Sequence, residues 1–246
     1  RGICPEQVEE ALSGGGYDAV CLTHCETSTG VANPLEEIAR VVGRHDGVLL
    51  LVDAVSSLGG VPVEADRLGI DVCFASVQKA LALPPGFALC AVSGRALDRA
   101  RVRQGRGYYF DFIRLAEASD RVMPLGTPSV SHLFALQVQL GRILREGLPA
   151  RFARHEDMAR RVRRWARERF SVLAEPGFES QTVTCVVNTR KMKMPEFLER
   201  LRERGFQVSN GYGDLKDRTF RIGHLGEHTP EGVEALLAAM DEVLPG

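Results

Sequence analysis

Lysine is scarce in this chain. Lysine and arginine together number 31, yet only Lys79, Lys191, Lys193 and Lys216 are lysines, so one alone falls in the first 190 residues. Other shortages narrow the function classes. The formal net charge is −1, so no positive excess points to nucleic acid or to an anionic membrane surface as partner. No apolar run approaches the roughly 20 residues that span a bilayer. The cysteines, Cys4, Cys21, Cys25, Cys73, Cys90 and Cys185, include no Cys-x-x-Cys pair, so the usual zinc spacing is missing and no metal is expected. Three of them lie in apolar, strand-like runs. A chain of 246 residues builds its own core, so a disulfide framework is not expected either. The thiols then read as free or buried in a reducing compartment. The opening Arg1–Glu6 is polar and has no secretory-leader pattern, which gives a cytoplasmic location by default. The first residue is not methionine, and the chain is expected to begin part-way through a larger protein.

What is present is a strand–helix alternation. Ala19–Thr23, Val48–Val52, Val72–Ala75 and Phe87–Val92 are apolar runs of strand length. Leu35–Val42 has a helical stripe behind Asn33 and Pro34. Continuous apolar strands separated by helices predict an α/β fold, a mostly parallel sheet covered on both faces, over residues 1–148. Residues 97–123 read as less regular and carry the aromatic patch Tyr108–Phe112. Helices are predicted at about 130–146 and 150–170. From about residue 172 the pattern changes to strand, helix, strand, strand, helix: Thr182–Val187, Pro195–Glu203, Gln207–Ser209, Thr219–Ile222 and Pro230–Val243. That predicts a small α+β domain over 149–246, carried on a long linking helix.

In such a sheet the functional loops follow the strands' carboxyl ends. The loop His24–Gly30, Asp53 and the segment around Lys79 all follow strands. Arginine replaces lysine for solubility or ion pairing, but not where a neutral primary amine attacks a carbonyl. Lys79, placed just past a strand and before Pro84-Pro85-Gly86, fits a Schiff-base site. Pyridoxal phosphate needs an amine, a carboxylate at its pyridine nitrogen, donors at its phenolic oxygen and phosphate, and, for amino-acid substrates, a guanidinium for the carboxylate. Lys79, then Asp53, then Ser28, Thr29 and Gln78, then Arg221 are candidates for these. Singly, each has an ordinary use: Asp53 as a turn cap, Ser28 and Thr29 as loop caps, Gln78 as an exposed loop residue, Thr127 before Pro128 as a helix start, Arg221 in a surface ion pair.

Four segments in order carry a resemblance. His24-Cys-Glu-Thr-Ser-Thr-Gly30, Asp53-Ala-Val-Ser-Ser-Leu-Gly-Gly60, Gln78-Lys79-Ala-Leu with Pro84-Pro-Gly86, and Arg221-Ile-Gly-His-Leu-Gly226 resemble class V aminotransferases, which are fold-type I pyridoxal-phosphate enzymes. The alanine–glyoxylate and serine–pyruvate group is the nearest in pattern. The resemblance implies that Lys79 holds the cofactor aldehyde and then carries the substrate's Cα proton. It implies that Asp53 pairs with the pyridine nitrogen, and that Ser28 and Gln78 contact the cofactor. Arg221 would bind the substrate carboxylate. Thr127 would reach the cofactor phosphate of a neighbouring subunit in a homodimer with shared sites. The implied activity is ping-pong transfer of an amino group from a small amino acid to a 2-oxo acid such as glyoxylate or pyruvate. Two departures stand out. Pro124 occupies a position where the nearest relatives carry a tyrosine, and the family's phosphate cup and ring-stacking aromatic fall in about a hundred residues that would precede Arg1.

Other readings remain open at this level. The loop His24–Gly30 also resembles 2-aminoethylphosphonate–pyruvate aminotransferases. Cysteine desulfurases share the fold, but Gln78 stands where they usually have histidine, and Cys185 lies inside a strand-like run. A non-catalytic chain that holds no cofactor is the alternative of another class.

Overall fold

The computed structural model describes residues 1–244. In the first half α1 (Pro5–Ser13) precedes β1 (Ala19–Thr23), and the short strands β2 (Cys25–Glu26) and β3 (Val31–Ala32) lead to α2 (Leu35–Val42). The strands β4 (Leu49–Asp53), β5 (Val72–Ser76) and β6 (Ala88–Val92) follow. They form one sheet in the order β1-β4-β5-β6, parallel except for β6, which runs antiparallel to β5.

The helices form where the sequence supplies both a start signal and an apolar stripe. α1 has Pro5 and Glu6 in its first turn, which suit the free amides and positive end of a helix N-terminus. α2 has Glu36 and Glu37 early and Arg40 late, and it buries Leu35, Ile38, Ala39, Val41 and Val42. Those side chains pack with Leu22, Leu50, Val52 and Cys73 of the sheet into one apolar cluster.

The opposite sheet face differs from expectation. Cys21, Phe74 and Cys90 point there and are exposed, Phe74 by 41%. The strands are apolar at alternate and intervening positions alike, which encodes two covered faces. Among the described residues only one face receives helices.

Residues 97–123 are more ordered than the sequence suggests, because two side-chain caps nucleate helices there. Ser93 Oγ accepts from the Ala96 amide at the start of α3 (Gly94–Arg101). Asp111 does the same for Ile113 at the start of α4 (Phe112–Asp120). Then come α5 (Val130–Glu146) and α6 (Leu148–Arg169), separated by Gly147 at φ +83°. Leu136 and Ile143 of α5 pack on Val77, Leu81 and Leu83, the turn that carries Lys79.

The second sheet is antiparallel. Strands β7 (Ser171–Val172), β8 (Val183–Val187), β9 (Ser209–Asn210) and β10 (Thr219–Gly223) lie in the order β7-β8-β10-β9. β9 starts two residues later than the predicted strand. Helices α6, α7 (Met194–Glu203) and α8 (Pro230–Val243) close a core of Met158, Trp165, Phe197, Leu201, Phe220 and Met240. No helix among the described residues is long and apolar enough to cross a membrane.

Candidate active site

Three strand ends of the first sheet and one strand of the second carry the expected residues. At the end of β1 the His24 amide donates to Asp53 O at 2.9 Å, which ties the loop after β1 to the last residue of β4. The loop folds on Glu26: its carboxylate accepts from the Ser28 amide at 2.8 Å, and its carbonyl from the Gly30 amide at 2.9 Å. Gly30 has φ +69°, and a Cβ there would lie 2.9 Å from the Cys185 backbone nitrogen of β8. Glycine is therefore required, for conformation and for close approach to the second sheet. Cys25 is buried beside it and donates to Ser180 Oγ at 2.9 Å. Burial pushes that thiol's pKa up, so it stays protonated, as suits a packing role. Ser28 is half-buried, and Thr29 bonds within the loop.

Asp53 ends β4. Its Oδ1 accepts from the Val55 amide at 2.8 Å, which fixes the carboxylate's direction. Lys79 lies three residues past β5 in a turn closed by Ala82 N to Lys79 O (2.8 Å) and Leu83 N to Val77 O (3.0 Å). Val77, Ala80 and Leu81 are buried and anchor the turn, so Lys79 stands half-exposed and Gln78 exposed. The Lys79 ammonium has no hydrogen bond or ion pair among the described residues. Its pKa is lowered, first by burial and next by the charge of Arg221, while the carboxylates of Glu26 and Asp53 pull the other way. Residues from β2, β4 and β10 thus act electrostatically on one amine.

Arg221 sits in β10, paired with Cys185 and Ser209 across the strands. Its Nε donates to Asn210 O at 3.1 Å, and its guanidinium carbon lies 6.0 Å from the Tyr212 ring centroid. No carboxylate pairs with it among the described residues, so the surface ion pair that is an arginine's ordinary use is not made. Thr127 is exposed in the loop before α5, and no hydrogen bond joins it or Gln78 to the other site residues. Three buried polar atoms at strand ends have no partner among the described residues: His24 Nδ1, Ser76 Oγ and His224 Nδ1. Burial lowers the His24 pKa to about 4, so its ring is neutral at physiological pH.

With this geometry in view, the family model for aminotransferase class V matches residues 2–215. The chain belongs to that family. It is 36% identical over 253 aligned residues to an uncharacterised aminotransferase of Methanocaldococcus jannaschii, covering 98% of this chain and 63% of that protein. It is 33% identical to the alanine–glyoxylate aminotransferase of Oryctolagus cuniculus, over 97% of this chain and 63% of the relative. Among solved structures, pyridoxamine–pyruvate aminotransferase from Mesorhizobium loti superposes with a TM-score of 0.93 at 30% identity, over 98% of this chain and 64% of that one. The chain therefore spans somewhat under two thirds of the length of these class-V aminotransferases.

Sequence reasoning missed the residues that hold the site's segments together. Arg151, His155 and Gly226 meet between the Lys79 turn and the residues after β10. Gly226 closes a quoted motif, but Arg151 lies in a run of arginines where nothing local marks it.

Proposed function

We propose that this class-V aminotransferase chain is the cofactor- and substrate-binding part of a pyridoxal-phosphate transaminase. It would move an amino group from a small amino acid such as alanine or serine to a 2-oxo acid such as glyoxylate or pyruvate. The observation that carries the reading is the pairing of a free, half-buried amine with an arginine that has no carboxylate partner: Lys79 and Arg221. A substrate α-carboxylate supplies the missing anion, and a bidentate guanidinium contact would orient Cα.

The donor set fits the cofactor's ring end, with an amine, a directed carboxylate and unpartnered polar atoms at adjoining strand ends. When bound, pyridoxal phosphate supplies an electron sink for the charge that develops at Cα. Burial beside Arg221 raises the neutral fraction of Lys79, which favours it as nucleophile and as proton carrier at Cα. Asp53, held by the Val55 amide, would keep the pyridine nitrogen protonated. Ser28 would contact the cofactor from the loop after β1, Gln78 would contact it near its phosphate, and Thr127 would serve a neighbouring subunit of a homodimer. The cofactor-binding domain would run over 1–148, with the linking helix and small domain over 149–246.

Adding pyridoxal phosphate to the purified protein, reducing with borohydride and mapping the peptides tests this reading. The expected result is a visible absorption band and an adduct on Lys79, with Lys191, Lys193 and Lys216 unlabelled. An adduct spread evenly over the four lysines would count against it. Bleaching of the band by alanine or serine, compared with 2-aminoethylphosphonate, then separates the donor classes.

A further inference from the structure

Arg151 is the largest fully buried side chain among the described residues, with 0% exposure. It stands in the first turn of α6, and all five of its N–H donors are used. Nε donates to Gly59 O at 2.8 Å. Nη2 donates to Ala80 O at 2.6 Å and to Gly226 O at 3.2 Å. Nη1 donates to Glu146 at 2.8 Å and Glu227 at 3.1 Å, which neutralise it.

The three carbonyls belong to different segments of the candidate site. Gly59 ends the loop that leaves Asp53, Ala80 follows Lys79, and Gly226 ends the stretch that leaves Arg221. His155, one turn further along α6, reinforces the last of these. Its Nε2 accepts from the Gly226 amide at 3.0 Å, and its Nδ1 donates to Arg151 O at 2.8 Å. Gly226 has φ +74°, and a Cβ there would come within 3.0 Å of Ala82 Cβ and 3.4 Å of Lys79 O. The segment after Arg221 is thus held directly against the Lys79 turn.

We propose that Arg151 is a positioning residue that sets Lys79 against Asp53 and Arg221 by holding the three segments through one planar guanidinium. Its functional meaning rests on the transaminase reading; its geometric content does not. A lysine at this position keeps the charge but has three donors and no fork, so it can hold at most part of the set. The Lys79 turn would then relax away from Arg221 and toward water. The groups that act on Lys79 are Arg221 from β10, Cys25 and Glu26 from β2, and Asp53 from β4, so its titration reports that geometry.

The test is trace acetylation of the folded protein with acetic anhydride across pH, without cofactor, read by mass spectrometry of the lysine peptides. The exposed Lys216 serves as reference in the same sample. In Arg151→Lys, confirmed as folded by circular dichroism, the Lys79 midpoint is expected to rise relative to the parent. Bound pyridoxal phosphate, where it forms, should show a matching change in the pH dependence of its visible band. A fall in Tm with the Lys79 midpoint unmoved would overturn the proposal and leave Arg151 a stabilising residue only. Should Arg151→Lys not fold, Arg151→Gln, whose planar amide has two donors and cannot hold all three carbonyls, decides alone: the Lys79 midpoint must rise, and an unmoved midpoint overturns the proposal. Because acetylation needs no cofactor, an adduct spread evenly over the four lysines would count against the transaminase reading while leaving this measurement intact.

Discussion

Acid should begin to destabilise this protein below about pH 6.5 through its buried histidines, and His155 is the one whose share can be isolated. Its Nε2 accepts from the Gly226 amide, so that nitrogen carries no proton. Protonation would turn an acceptor into a donor facing another donor. Burial is the main cause that holds its pKa at about 4, and the charges of Arg154 and Arg151 add to it. The unfolded value is about 6.5, so the unfolded chain takes up the proton first. Stability is complete above about pH 6.5 and is lost as pH falls toward about 4. One pKa unit corresponds to about 1.4 kcal/mol, and between pH 7 and pH 5 one such histidine removes about 2 kcal/mol. His24, at about 4, and His224, at about 3, behave alike, so the three together remove about 6 kcal/mol over that span. Urea unfolding at pH 7 and pH 5 measures the difference. His155→Gln keeps an acceptor for the Gly226 amide and does not titrate, so its loss should shrink to about 4 kcal/mol. An identical pH 5 loss in the variant and the parent would refute the assignment of a neutral, proton-accepting His155.

Other perturbations test how the site is held. Gly30→Ala forces a side chain at φ +69° into the β8 backbone; a loss of about 1–3 kcal/mol in urea unfolding is expected, and a change below about 0.5 would contradict the close approach. Buried Asp71 accepts from the Leu50 amide at 3.0 Å, Ser93 Oγ at 2.7 Å and Arg95 at 3.3 Å, so it joins β4 to the start of α3. Asp71→Asn turns one acceptor toward donors and should cost about 2–4 kcal/mol by the same assay; an unchanged midpoint would show that those bonds carry little.

Much of the site was legible as local pattern. Lys79 stood out because a chain that otherwise uses arginine kept an amine past a strand, and that amine is half-buried and unpaired. Asp53 was marked by its place at the end of an apolar run, and the structure adds the Val55 amide that aims it. Arg221 was ambiguous for a physical reason. An arginine's role depends on which anion it meets, and only the folded chain shows that no carboxylate among the described residues meets it. α3 and α4 escaped notice because their start signals, Ser93 and Asp111, are single capping residues in a stretch without strong periodicity.

The sequence alone determined the class of fold, most of its longer elements and the segments proposed to carry the chemistry, since periodicity and motif spacing are short-range properties. Tertiary structure decided what those segments do to one another. It brought the charge of Arg221 to bear on Lys79 and, among the described residues, left Cys21, Phe74 and Cys90 of the first sheet exposed. It also joined Gly59, Ala80 and Gly226 through a guanidinium that lies 92, 71 and 75 residues away from them in the chain. A buried arginine must find acceptors wherever the fold supplies them, and separations of that size leave no trace in local pattern.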